Sequence, residues 1–342
     1  MTKLAELTTI QVGGEPAEII EAKSRDDLVD ATLEVWQTGE DWLVLGGGSN
    51  VVIADEIDDL HVIRALNKGV EPSKHQGHVL LRVQAGENWD DLVAGTVEGG
   101  LAGLEALSGI PGNVGAAPIQ NIGAYGQEVS NTIKRLEFLD YQTQELSILE
   151  LDQLELGYRD SIFKRGKLGV VTWVEFELEN NDGLSEPIAF DQLARALDVE
   201  LGTQMPVAEV RKAVLALRAA KGMVLDRNDR DTFSCGSFFT NPMVSASFAR
   251  TLPANAPKFE NPEDDGETVK LSAAWLIENS GIAKGFSLAG SQAGISTQHS
   301  LAITNRGGAT ALEIVQLANF VQQRVLNTFG VNLIPEPNLI GF

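Results

Sequence analysis

GIPGNVGAAPIQNIGAYG, residues Gly109 to Gly126, is the stretch on which the reading of the fold turns. It holds five glycines and two prolines among small and apolar residues, with no charge. A loop that met only water would be more polar. Backbone so free of bulk suits close packing against a flat, partly apolar ligand that carries a pyrophosphate. Upstream, LGGGSN (Leu45 to Asn50) directly follows the apolar run WLVL. Its glycines let the chain take positive φ and turn N–H groups toward an anion, while Ser49 and Asn50 add polar contacts. Taken alone, this loop fits anion binding and a plain tight turn equally well. It is neither a Walker loop, since no Gly-Lys-Ser/Thr follows, nor the Gly-x-Gly-x-x-Gly of the dinucleotide fold.

Working outward, residues Ala17 to Ala65 alternate strand and helix. AEIIEA reads as a strand, and Ser24 as the cap of a helix from about Arg25, with Asp26 and Asp27 in its favourable first turn. WLVL and HVIRAL read as further strands. A second block starts with VLLRVQAG near Val79, followed by a helix from about Asn88 to Glu98. KRLEFLDY and GVVTWVEFELE are β-rich, and Pro206 to Ala219 has apolar residues at helical spacing. In the third block, SAAWLIENS and ALEIVQLANFVQQRVLNTF read as amphipathic helices, NPEDDGE as solvated surface, and VNLIPEPNLIGF as a strand returning to the first block. The whole is an α+β chain rather than a regular βαβ array.

The chain has 342 residues with 48 acidic and 26 basic side chains, a formal net charge of −22. Such a surface repels nucleic acid and anionic membranes, so neither is expected as a partner. Any anionic ligand must be drawn in by locally clustered Lys or Arg. A single cysteine, Cys235, precludes an intramolecular disulfide and fits a reducing cytosol. We read it as a small buried residue. No signal peptide or membrane span is expected, and a cytoplasmic monomer is the working assignment. The four histidines, His61, His75, His78 and His299, are scattered without ligand spacing, so no metal is expected; His75 and His78 flank a turn and read as exposed.

Four words in order, GGGSN, GIPGNVGAAPIQNIGAYG, YRDS and GSFFTNP, resemble those of the UDP-N-acetylenolpyruvoylglucosamine reductase family, the MurB family. Its FAD-binding fold is of the vanillyl-alcohol-oxidase type. The resemblance implies two FAD-binding subdomains, residues 1–67 with 330–342 and residues 68–219, and a C-terminal α+β substrate domain over residues 220–329. It implies non-covalent FAD, since neither glycine loop holds a histidine to tether it, and NADPH as co-substrate. The implied reaction reduces the enolpyruvyl ether of UDP-N-acetylglucosamine to UDP-N-acetylmuramate in peptidoglycan precursor synthesis.

Carried over by position, the flavin contacts are Gly46, Gly47, Gly48, Ser49, Asn50, Ile110, Pro111, Gly112, Gly115, Ala116, Gln120, Asn121, Gly123 and Arg218. Arg159 matches the family arginine that faces the substrate carboxylate, where a planar, permanently charged guanidinium suits the task. On spacing alone it would be a surface ion pair with Asp160. Ser237 matches the family proton donor, adequate only because the carbon it protonates is strongly basic. Glu336, stiffened between Pro335 and Pro337, matches the catalytic glutamate. Tyr125, Phe190, Lys221, Asn241, Lys270 and Lys284 are the implied substrate contacts.

The chain also departs from the pattern. Glu336-Pro337-Asn338 stands where many members have Glu-Val-Arg, so a flavin-side arginine is lost. Phe190 stands about where one longer subtype has a tyrosine over the uridine; its ring stacks without the hydroxyl. Two other readings stay open from the residues alone: another flavin oxidase or dehydrogenase of this fold, and a non-enzymatic nucleotide-sugar-binding flavoprotein.

Overall fold

The computed structural model describes residues 2–75, 77–260 and 266–342; the side chains of residues 75 and 260, and the acidic run over residues 261–265, lie outside that description. The chain forms two compact units. One comprises Pro16–Gly48 and Asp58–Val224; the other comprises Met1–Glu15, Ser49–Ile57 and Leu225–Phe342.

The first of these units holds two larger sheets and the short pairing of Gly123–Ala124 with Gln127–Glu128. Strands Glu18–Ala22, His61–Ala65 and Trp42–Leu45 form a parallel sheet with His61–Ala65 at its centre. The crossover between the first and third of these is the helix Arg25–Thr38. Ser24 starts it with a capping box: its hydroxyl accepts from the N–H of Asp27, and the Asp27 carboxylate accepts from the N–H of Ser24, both at 3.0 Å. Two orphan donors are thereby satisfied, and Gly39, at φ 74°, ends the helix in the left-handed conformation. The helix buries Leu28, Val35 and Trp36 against Ile63 and Ala65.

The second sheet is antiparallel and runs Leu146–Glu150, Ile133–Asp140, Gly169–Asn180, His78–Gln84 and Val70–His75, with Leu101–Ala102 pairing with the Gly169–Asn180 strand. That central strand is buried from Val170 to Phe176, and Val174 and Phe176 are fully buried. Helix Trp89–Glu98, capped by Asn88, packs Trp89 and Val93 onto this sheet. Helix Val207–Ala219 packs Val210 and Val214 against Leu193 and Ala194 of the short helix Asp191–Leu197. His78, read as exposed, is half-buried because it sits in the hairpin with the Val70–His75 strand.

The second unit is built round the helix Ala311–Phe329, whose Ile314, Leu317, Val321 and Val325 make a buried stripe at helical spacing. Thr310 and Glu313 form its capping box, and the Asp55 carboxylate accepts from the N–H of Ala311 at 2.9 Å. A three-stranded sheet (Met243–Ser245, Thr268–Leu271, Lys258–Glu260) and a strand pair (Ala293–Ile295, Ile303–Asn305) complete it. The last strand, Asn338–Ile340, pairs in parallel with Val51–Ile53, so the chain end returns to the segment that follows the first glycine loop.

Candidate active site

The two glycine loops pack on one another. A Cβ at Gly47 would lie 2.8 Å from the Cα of Gly112, and one at Gly46 would lie 3.1 Å from the Cβ of Asn113. Only glycine permits that approach. Gly48 and Gly112 take φ of 60° and 128°, which is the backbone freedom the sequence implied. Gly115 is held against Ala85, where a Cβ would come within 2.6 Å. Asn113 anchors the second loop: its Nδ2 donates to the carbonyls of Gly86 at 3.1 Å and Ala65 at 3.3 Å. Ile110 and Pro111 are half-buried, Ala116 is exposed, and Gln120 is buried at the end of a 3-10 turn that runs from Val114. These residues form a side-chain-poor cradle, the shape that a dinucleotide needs.

Asn121, at φ 45°, uses its side chain inside the protein. Its Nδ2 donates to Glu128 Oε2 at 2.9 Å and to the carbonyl of Gly157 at 3.0 Å, and its Oδ1 accepts from the N–H of Ser130. Arg159 lies across this same loop. Its Nη2 donates to the carbonyl of Gly123 at 2.5 Å and its Nη1 to that of Asn121 at 3.2 Å. The Arg159–Asp160 pair that spacing alone offers does not form; Asp160 pairs with Arg165 instead. A carboxylate near Arg159 is that of Glu128, at 3.8 Å. Arg159 takes φ 53°, a strained conformation for a residue with a Cβ, and it turns the side chain back onto the loop.

Tyr125, Phe190, Arg218 and Lys221 come together in the same unit. The Tyr125 and Phe190 rings meet edge to face, with centroids 5.8 Å apart. The Lys221 ammonium lies 5.6 Å from the Tyr125 ring centroid and donates to Gln192 Oε1 at 2.9 Å. Arg218 is buried; its Nη2 donates to the carbonyl of Met223, and its Nε has no hydrogen-bond partner among the described residues. Burial, with repulsion from Arg218, pulls the Lys221 ammonium below its ordinary pKa. Burial likewise raises the Tyr125 phenol, against the opposing pull of Arg218. These two desolvated cations lie three residues apart on a chain of charge −22.

In the other unit, Ser237 and Glu336 are joined through the backbone. The Glu336 N–H donates to the carbonyl of Phe238 at 2.9 Å, Phe239 bridges to Pro335, and the Thr240 N–H donates to the carbonyl of Ile334. Asn50 Nδ2 donates to the Glu336 carbonyl at 3.3 Å, while the N–H of Asn338 donates to the carbonyl of Asn50. Ser49 is half-buried beside it. Cys235 is buried, with its thiol pushed up to about 12 by burial. Asn241 Oδ1 accepts from the N–H of Ala273 at 3.0 Å, so that oxygen holds the start of a helix. Lys270 sits on the central strand of the three-stranded sheet, and Lys284 is exposed in the loop beyond helix Ala273–Asn279.

Sequence reasoning missed Asn113, Glu128 and Gln192. Asn113 and Gln192 act through contacts distant in sequence, and only Gly112 beside Asn113 hinted at a crowded site. No cluster of three or more His, Cys, Asp or Glu is set to hold a metal among the described residues, and no helix there is long and apolar enough to cross a membrane.

A side-chain-poor double loop beside buried cations, in a segment (residues 16–147) that matches the FAD-binding domain model, defines an α+β flavoprotein of the oxidoreductase class. Residues 228–340 match the model of the UDP-N-acetylenolpyruvoylglucosamine reductase C-terminal domain. The chain is 51% identical to the UDP-N-acetylenolpyruvoylglucosamine reductase of Leifsonia xyli, over 99% of this chain and 98% of that protein. It is 47% identical to that of Saccharopolyspora erythraea, over 98% and 94%. The crystal structure of the reductase (MurB) from Thermus caldophilus superposes with a TM-score of 0.64 at 26% identity, covering 99% of this chain and 97% of that one. The chain belongs to the UDP-N-acetylenolpyruvoylglucosamine reductase family.

Proposed function

We propose that this chain is a cytoplasmic, monomeric reductase that converts the enolpyruvyl ether of UDP-N-acetylglucosamine to UDP-N-acetylmuramate, at the expense of NADPH. The observation that carries the reading is the joining of Ser237 to Glu336 through the Phe238–Glu336 hydrogen bond, on a chain whose relatives bear that reductase name. FAD held by the cradle of Gly46–Gly48 and Gly109–Gly123 supplies, when bound, hydride acceptance from NADPH and hydride donation to the substrate methylene carbon.

The remaining work falls to side chains. Hydride addition to the methylene leaves an electron pair on the adjacent carbon, spread into the carboxylate. Arg159 presents a fixed guanidinium to that carboxylate, and Glu336, acting protonated, assists it. Ser237 delivers a proton to the carbon, which completes the lactyl ether. Arg218 and Lys221 take phosphate charge, Tyr125 and Phe190 offer ring faces and edges to the nucleotide, and Asn241, Lys270 and Lys284 add polar contacts. Ser49, Asn50, Ile110, Pro111, Gly115, Ala116, Gln120 and Asn121 complete the flavin side. The two larger sheets of one unit support the division of the flavin-binding part into two subdomains. The charge of −22 disfavours nucleic acid and anionic membranes as partners.

The test is the visible spectrum of the purified protein without oxygen. The flavin band should bleach with NADPH and return with the enolpyruvyl nucleotide-sugar. A band that bleaches and stays bleached sinks the substrate assignment, and turnover with air and an alcohol would mark an oxidase instead.

A further inference from the structure

We infer that Gln192 is a positioning residue that holds the Lys221 ammonium for a nucleotide phosphate without cancelling its charge. The inference rests on the assignment of Lys221 to ligand binding made above. Gln192 is half-buried, and its Oε1 accepts from Lys221 Nζ at 2.9 Å. The same ammonium stands 5.6 Å from the Tyr125 ring centroid, and Tyr125 in turn meets Phe190 edge to face. Lys221 is thus steered by an amide oxygen and an aromatic face, two neutral groups that orient a cation and leave its charge intact.

This arrangement differs from the rest of the unit. There, Arg25 pairs with Glu137, Arg211 with Asp90, Lys167 with Asp140 and Arg165 with Glu155. With acidic residues so abundant, a carboxylate at position 192 was the ordinary way to stabilise a half-buried lysine. It would also have left nothing for a ligand to pair with. Arg218, three residues away, adds like-charge repulsion, and although Asp90 acts favourably on Arg218, no ion pair reaches either cation among the described residues. An anion is what would offset both charges, and a phosphate or diphosphate offers oxygens to each.

Gln192 is itself held in place. The segment that carries it closes through the Ser185 N–H to the Met205 carbonyl at 2.7 Å and the Ile188 N–H to the Thr203 carbonyl at 2.9 Å. Buried Glu105 accepts from the Glu186 N–H at 2.9 Å and from the Gly103 N–H at 2.7 Å, which ties the segment to the start of the second glycine loop. Leu193 and Ala194, the next two residues, are buried against Val210 and Val214. The ammonium position is therefore set from a segment other than its own.

The phosphate has two sources, the diphosphate of the nucleotide-sugar and the phosphates of NADPH. The experiment separates them on the FAD-loaded full chain by measuring Kd for UDP-N-acetylglucosamine and for NADPH, and kcat and KM in turnover. The variants are Gln192→Glu, Gln192→Met and, as reference, Lys221→Met. Glutamate keeps the shape and the acceptor, so a merely structural role tolerates it. We expect Gln192→Glu to weaken one of the two ligands about tenfold or more with kcat within about twofold, and Gln192→Met to weaken the same ligand about threefold. The ligand affected identifies the source. Wild-type affinity for both ligands in Gln192→Glu, with Lys221→Met weakened, overturns the role of Gln192 alone. Unchanged affinities in Lys221→Met overturn the placement of Lys221 and the inference with it. A Gln192→Glu defect that comes with loss of bound FAD and a lowered Tm marks a structural role and overturns the inference as well.

Discussion

The N–H of Glu336 donates to the carbonyl oxygen of Phe238 at 2.9 Å, which ties the glutamate one residue away from Ser237. Two segments almost a hundred residues apart meet at the Phe239–Pro335 bridge, and Asn50, at the end of the first glycine loop, donates to the Glu336 carbonyl. Replacing Ser237 by alanine leaves this backbone pairing untouched. Bleaching of the flavin by NADPH should proceed at its wild-type rate, while recovery on adding the enolpyruvyl substrate slows by about 10²- to 10⁴-fold. Stopped-flow absorbance resolves the two phases, and equal recovery in the variant would remove Ser237 from the proton-transfer step.

Arg159 makes its hold on the loop with two nitrogens, to the carbonyls of Gly123 and Asn121. Lysine keeps the charge but has no fork. Arg159→Lys is expected to lower kcat/KM by about one to two orders of magnitude, with the NADPH half-reaction spared. A variant with wild-type kcat/KM would show that charge alone suffices.

Gly47 faces the Cα of Gly112 across 2.8 Å measured from a built Cβ. Gly47→Ala must push the two loops apart, at a cost of about 1–3 kcal/mol. Weaker FAD retention on gel filtration and a lower Tm are the expected results. Unchanged FAD affinity would mean that the contact between loops does not shape the flavin cradle.

Burial pushes the Asp90 carboxyl up, but the hydrogen bonds from Arg211 and from the Gly109 N–H together outweigh it and hold the group below its ordinary value. A depressed carboxylate contributes stability above its unfolded pKa of about 3.9, and that stability is lost as pH falls through the folded value. Asp90→Asn should lower Tm near neutral pH and lose less Tm than the wild type on acidification below about pH 4. Parallel Tm-against-pH curves for the two proteins would contradict the assignment.

The Cys235 thiol is buried and pushed up to about 12, so almost no thiolate exists at neutral pH. Ellman's reagent should leave the native chain unlabelled and titrate one thiol per chain once guanidinium unfolds it. Rapid labelling of the folded protein would place the sulfur at the surface.

Much of this protein was legible along the chain because its signals are local. Ser24 announces a helix start through its own hydrogen bond, and the spacing of Ile314, Leu317, Val321 and Val325 declares a buried helix face. The glycine words at Leu45–Asn50 and Gly109–Gly126 declare a backbone that must come close to something. Pairings between distant residues left no such mark. Asp160 is next to Arg159 in sequence yet bonds Arg165, because the left-handed backbone at Arg159 aims the guanidinium back at the loop.

The sequence by itself pointed to the family, the longer helices, the glycine-built loops and the identity of the candidate acids and cations, since these depend on residue type and short-range geometry, but it did not show the short helix Asp191–Leu197. Only the tertiary structure decided that Gly47 abuts Gly112, that Lys221 leans on neutral Gln192 and that Glu336 is bonded beside Ser237. Those relationships come from chain segments brought together by burial of apolar surface, which is non-directional and leaves the choice of polar partners to whichever groups the packed core carries into reach.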